Sequence, residues 1–170
     1  MIVIVMGVSG SGKTTVGELL ADRMGCGFSD ADDFHPAANV EKMRAGIPLT
    51  DDDRWPWLQA LRQAIEGWQS TGESRVIACS ALKDAYREVL SPDDDVVFVF
   101  LKGSAETIAA RLKGRKGHYM NPNLLASQFA TLEEPDSAVA VDITPPPPAV
   151  VDEIMTQLDA RGFQQEKRRT

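Results

Sequence analysis

The chain has 170 residues, a net charge of −7, 43% hydrophobic and 25% charged residues, and two cysteines. That length suits one domain around one core, the balance excludes a disordered or fibrous chain, and the acidity excludes a sequence-independent nucleic-acid binder, which needs a basic surface. Cys26 and Cys79 are too few for a disulfide framework or a zinc site and read as reduced thiols, and the first apolar run is too short to cross a membrane, so a soluble, cytoplasmic protein is expected.

Residues 2–6, IVIVM, are a continuous apolar and mostly β-branched run, which predicts a strand covered on both faces. Val16, Leu19, Leu20 and Met24 recur at helical spacing and predict a helix over 13–24, stopped at Gly25. A short strand at 27–29 leads to DADDFHP, where Pro36 opens a helix through about Arg44 that ends at Gly46. Thr50 is the expected N-cap of a long amphipathic helix, with acids in the first turn where they complement the exposed amides. RVIACS, 75–80, predicts a strand, ALKDAYREVL, 81–90, a helix, and VVFVFL, 96–101, a strand. SAETIAARLKG follows as a helix capped by Ser104, and AVAVDI, 138–143, as a fifth strand. PPPP, 145–148, reads as a stiff loop into a last helix over 149–160, with 164–170 as a solvated end. Strands alternating with helices predict an α/β fold with a parallel sheet covered on both faces.

The stretch GVSGSGKT matches G-x-x-x-x-G-K-[ST] with Gly7, Gly12, Lys13 and Thr14 in the fixed positions, and it lies between a predicted strand and a predicted helix, as the motif requires. Backbone amides of such a loop turn inward around phosphates, the helix N-terminus adds partial positive charge, the lysine adds a full one, and the hydroxyl can ligate Mg²⁺. A cradle of Gly7, Ser9, Gly10, Ser11, Gly12, Lys13, Thr14 and Thr15 for ATP is therefore expected, with Mg²⁺ on Thr14. An N-K-x-D element for guanine is absent, and the apolar strands 75–80 and 96–101 lack the aspartate that many P-loop ATPases place at a strand end. Asp30 and Asp32 take that place. Alternation along an extended segment sends both side chains to one side, so that one carboxylate can reach the metal while the other accepts a proton from an attacking hydroxyl. The plainer alternative is a turn or cap built from aspartates. In RLKGRKGH, 111–118, Arg111 and Arg115 fall one helical turn apart, facing adenine and phosphates, with Gly114 and Gly117 letting the next segment close as a lid; the alternative is a solvated helix end.

With DADDFHPAANVEKMRAGIPLTDDDRWPWL, CSALKDAYR, RLKGRKGHYM and SQFATLEEP in this order, the chain resembles the gluconate kinases, relatives of the shikimate kinases. The resemblance implies ATP-dependent phosphorylation of D-gluconate at its terminal hydroxyl, giving 6-phospho-D-gluconate, in a homodimer. It implies one domain over 1–170, a three-layer α/β/α sandwich with a five-stranded sheet in the order 2-3-1-4-5, a lid over about 114–123 and a substrate-binding helical segment over about 36–70. At matching positions it implies Lys13, Asp32 and Arg115 as catalytic residues, and His35, Lys42, Arg54, Arg87 and His118 around the sugar acid together with Asp32. Arg54 suits the carboxylate, because a guanidinium binds it through two parallel hydrogen bonds. Trp55, Trp57 and Trp68 read as packing residues. Rival readings are a shikimate or nucleoside monophosphate kinase, or a non-catalytic nucleotide-binding switch.

Overall fold

The computed structural model describes residues 1–114 and 122–163. The strands are β1 (Ile2–Met6), β2 (Gly27–Asp30), β3 (Arg75–Ala78), β4 (Val96–Lys102) and β5 (Val139–Asp142). The helices are α1 (Lys13–Met24), α2 (Ala37–Arg44), α3 (Asp51–Ser70), α4 (Asp84–Leu90), α5 (Ala105–Lys113), α6 (Pro122–Thr131) and α7 (Pro147–Ala160), with a 3-10 turn over Ala31–Phe34. All strand pairs are parallel and the order is β2-β3-β1-β4-β5, as the resemblance implies.

The central strand β1 explains the layering. Val3 and Val5 join one core with Val16 and Leu20 of α1 and with Val150, Ile154 and Leu158 of α7. Ile2, Ile4 and Met6 point the other way, into a second core with Trp57, Leu58, Leu61 and Ile65 of α3 and Leu90 of α4. All five β1 residues are 0–1% exposed. A strand buried on both faces therefore reads as unbroken apolar sequence, and its carboxyl end opens toward the crevice where ligands of open α/β sheets bind.

Several boundaries differ from expectation, each for a local reason. β2 ends at Asp30, and Asp32 lies in the 3-10 turn, so alternation does not relate the two side chains. Asp30 instead caps that turn, accepting from the Asp32 amide at 2.9 Å. The helix expected from residue 81 begins at Asp84, because Ala81 has a φ of +45°, outside helical space. Pro147 and Pro148 form the first turn of α7 rather than a loop before it; their missing N–H groups cost nothing where no intrahelical partner exists. Sequence periodicity did not yield α6. Thr50 caps α3 as expected, in a reciprocal box with Asp53.

Candidate active site

The loop between β1 and α1 is shaped by glycine. A Cβ on Gly7, at φ +153°, would stand 2.8 Å from Ser11 Oγ and 3.1 Å from the Leu101 carbonyl oxygen, so only glycine lets the chain turn here. Gly12, at φ +94°, is the N-cap of α1, and no side chain caps that end. The first-turn amides of Lys13, Thr14 and Thr15 thus have neither an intrahelical acceptor nor a capping oxygen, which is the condition for binding an anion. Lys13 Nζ curls back to donate to the carbonyls of Gly7 and Val8, 3.0 Å each. Burial lowers the Lys13 pKa, and Cys79, Asp32 and Asp30 oppose the shift. Cys79 is itself pushed up to about 12 by burial. It is a neutral thiol at pH 7, so the aspartates are the groups that oppose the effect of burial on Lys13.

Gln128 of α6 closes the tip of this loop. Its amide oxygen accepts from the Ser9 amide and its nitrogen donates to Ser9 Oγ. The loop and helix amides, the half-buried ammonium and the glycine-lined turn together fit a triphosphate. Thr14 is exposed at the helix start. No cluster of three or more His, Cys, Asp or Glu side chains suited to a metal occurs among the described residues. A metal here would be held by Thr14, Asp30 and phosphate oxygens, the manner in which Mg²⁺ is usually bound.

Across the crevice stands Asp32. Desolvation in the cleft and then the neighbouring Asp30 raise its pKa, while His35 and Lys13 lower it. Its side chain is 80% exposed, so water in the open cleft relieves part of both upward effects. His35 Nε2 lies 3.9 Å from Asp32 Oδ1. The ring stacks on Trp57 at 4.3 Å, and Trp57 Nε1 donates to the Ala31 carbonyl at 2.7 Å, so the 3-10 turn and α3 fix one another. Asn39 Nδ2 donates to the Asp53 carbonyl at 2.8 Å and faces His35 Nδ1 at 3.2 Å. Because a carbonyl only accepts, the Asn39 nitrogen is fixed as the donor, and neutral His35 carries its proton on Nε2, toward Asp32. Burial lowers the His35 pKa and Arg54 adds to the shift, against the pull of Asp32.

Other expected residues have partners within the chain. Lys42 holds both Asp53 oxygens, at 2.8 and 2.9 Å, and so ties α2 to α3. Arg54 pairs with Asp51 at 3.2 Å and is 33% exposed. Arg111 Nη2 donates to the carbonyls of Ile143 and Thr144, beside the proline run. Arg87 is held within the chain as well. Its side chain, 7% exposed, donates to the carbonyls of Ala81 (2.6 Å) and Glu133 (2.7 Å) and to Asp84. The guanidinium staples the loop after β3 to the segment after α6. Arg115, His118 and most of the expected lid lie outside the described residues.

A phosphate loop at the end of a central parallel strand, with an acidic turn facing it, defines a P-loop small-molecule kinase. The family model for shikimate kinase matches residues 9–159. The chain is 44% identical to a probable gluconokinase of Dictyostelium discoideum over 93% of its own length and 86% of that protein's. It is 45% identical to the thermoresistant gluconokinase of Escherichia coli K12, covering 88% of this chain and 89% of that one. The crystal structure of a gluconokinase from Sinorhizobium meliloti superposes with a TM-score of 0.86 at 43% identity, covering 95% and 93% of the two chains. The chain belongs to the gluconokinase family, within the shikimate-kinase group of P-loop enzymes.

Proposed function

We propose that the protein is a gluconokinase, transferring the γ-phosphoryl group of ATP to the terminal hydroxyl of D-gluconate to give 6-phospho-D-gluconate. Asp32 carries this reading: its carboxylate acts on the charge of Lys13 on one side and lies 3.9 Å from His35 on the other, so phosphate-side and acceptor-side groups converge on it. Gly7, Ser9, Gly10, Ser11, Gly12, Thr14 and Thr15 line the triphosphate, with Arg111 toward the base. Lys13, with Arg115, stabilises the charge that spreads over the transferred group. Asp32 orients the acceptor hydroxyl and takes its proton, a task its raised pKa favours. Arg54 binds the carboxylate of the sugar acid, and His35, Lys42, Arg87 and His118 line the polyol. Thr14 and Asp30 would hold Mg²⁺, which would supply neutralisation of the phosphate oxygens. The reading includes a single domain with a lid over about 114–123 and a substrate-binding helical segment over about 36–70, a homodimer and a cytoplasmic location. None of the described helices is long and apolar enough to cross a membrane.

The test is ADP release with magnesium and ATP over a panel of D-gluconate, shikimate and nucleoside monophosphates. Gluconate-dependent release, with a phosphorylated hexonate found by mass spectrometry, is the expected result. Release with shikimate or a nucleotide but not with gluconate would overturn the assignment, and release with no acceptor at all would reduce the protein to a nucleotide hydrolase.

A further inference from the structure

A compact charged cluster joins the N-terminus of α3 to the loop after β3, and most of it carries no role so far. Asp51 accepts from Arg54 Nη1 at 3.2 Å, from Lys83 Nζ at 3.2 Å through its second oxygen, and from the Tyr86 hydroxyl. Arg54 Nη1 also lies 3.3 Å from the Tyr86 hydroxyl oxygen. Both cations stand over the Tyr86 ring, Arg54 at 5.8 Å and Lys83 at 5.5 Å from its centroid. About a third of each cationic side chain is open to solvent, 33% for Arg54 and 35% for Lys83.

The cluster lies on the acceptor side of the crevice. The charge of Arg54 acts on His35, whose other electrostatic partner is Asp32, and Lys83 follows the carboxyl end of β3 in the position where α/β sheets bind ligands. The charges do not cancel. Arg54 and Lys83 contribute two positive units and Asp51 one negative, leaving one positive unit. Two nearby acids are already engaged elsewhere, Asp53 by Lys42 and Asp84 by Arg87. Two cations this close repel one another unless an anion is fixed between them. Asp51 meets that need while both cations keep donors to spare, since Arg54 reaches Asp51 and Tyr86 through Nη1 alone and an ammonium has three N–H groups.

We propose that Lys83 and Arg54 together form the subsite for the carboxylate of the sugar acid, with Asp51 as a built-in counter-charge that leaves a single positive unit for a singly charged ligand. This rests on the gluconokinase reading and extends it, making Lys83 the specificity-determining residue beside Arg54. A monocarboxylate completes the neutralisation, a neutral hexitol leaves the surplus uncompensated, and a dicarboxylate overcompensates it. Tyr86 is the platform over which both cations stand.

The test compares wild type, Lys83→Met, Lys83→Arg and Asp51→Asn with D-gluconate as substrate, D-sorbitol as its neutral counterpart and D-glucarate as a dianionic competitive inhibitor. Loss of a charge-assisted contact predicts a KM for gluconate raised about 10- to 100-fold in Lys83→Met. The KM for ATP and the poor turnover of sorbitol stay as in wild type, and Lys83→Arg recovers most of the affinity. Asp51→Asn raises the surplus to two units, so glucarate inhibition tightens relative to the gluconate KM. A gluconate KM in Lys83→Met equal to that of wild type overturns the subsite, as does an unchanged glucarate-to-gluconate ratio in Asp51→Asn. A wild-type enzyme that ignores gluconate altogether overturns the underlying gluconokinase reading instead, so the two failures are distinguishable.

Discussion

Gln128 grips Ser9 at the apex of the phosphate loop with both ends of its amide, accepting from the Ser9 amide at 2.6 Å and donating to Ser9 Oγ at 2.9 Å. These residues are 119 apart in sequence, so the contact ties α6 to the loop and fixes the backbone from which the neighbouring amides are presented. Replacing Gln128 by Ala leaves the Ser9 amide without its protein acceptor and loosens the turn, a loss of about 1 kcal/mol per neutral hydrogen bond. The expected outcome is a KM for ATP raised about 5- to 30-fold with the KM for gluconate unchanged, read from steady-state kinetics with each substrate varied in turn. Equal rises in both constants would show that the contact serves the fold at large and not the nucleotide side.

Asp32 supplies a pH signature. Its pKa lies above the ordinary carboxylate value, first through desolvation and then through Asp30. A base must be ionised to work, so kcat/KM falls as pH drops through that raised value and is flat above it until another group titrates. In Asp32→Asn turnover falls by at least about 100-fold, the scale of a lost general base, and the remaining activity no longer shows the acidic limb. A pH–rate profile of wild type and variant reads both effects. An acidic limb that survives in Asp32→Asn would assign it to another group.

The legible parts of this molecule were those whose cause is local. The run IVIVM reads as a strand buried on both faces because every side chain in it is apolar, and Gly7 and Gly12 announce a loop because other residues rarely adopt those angles. The 30–32 pair shows where that logic stops. Alternation presumes extended backbone, but the Asp30 carboxylate bonds the Asp32 amide and turns the chain, a competition between side chain and strand that periodicity does not register. Partner choice among charges was also hidden. Arg87 and Lys83 lie four residues apart in one motif, and only the fold shows that Arg87 is closed over carbonyls while Lys83 reaches Asp51. Strand order came from resemblance, since hydrophobic pattern identifies strands without saying which neighbours they take.

The ion pair between Arg62 and Asp95 predicts an acid-sensitive part of the stability. The guanidinium meets both carboxylate oxygens, at 3.1 and 3.0 Å, and Gln69 adds a bond at 2.8 Å. Hydrogen bonding by Arg62 is the main cause that holds Asp95 down at about 2. A folded-state pKa below the unfolded one stabilises the fold above the unfolded value, and that contribution disappears as pH falls toward 2. With 29% of the Asp95 side chain exposed, solvent screening reduces the contribution to about 1 kcal/mol, or about 2–4 °C in a chain this size. Thermal melts should therefore show Asp95→Asn less stable than wild type by that amount at pH 7, with the difference gone near pH 2. A gap that stays constant with pH would mean that packing, not charge, is what the substitution removes.

His35 reports on the charge arrangement that the mechanism needs. Only two histidines occur in the chain, so its ring protons can be assigned by comparison with a His118→Gln variant. Burial lowers the His35 pKa, the Asp32 carboxylate raises it, and Arg54 lowers it further. The signs fix two opposite responses. Asp32→Asn removes an attraction and moves the titration to still lower pH, whereas Arg54→Met removes a repulsion and moves it higher. An NMR titration of the three proteins measures both shifts without any turnover. In the proposed acceptor site the charges of Asp32 and Arg54 both act on the imidazole, so a change at either end is felt there. If neither substitution displaces the His35 titration, Asp32 and Arg54 do not flank one site, and the placement of the sugar acid between them fails with it.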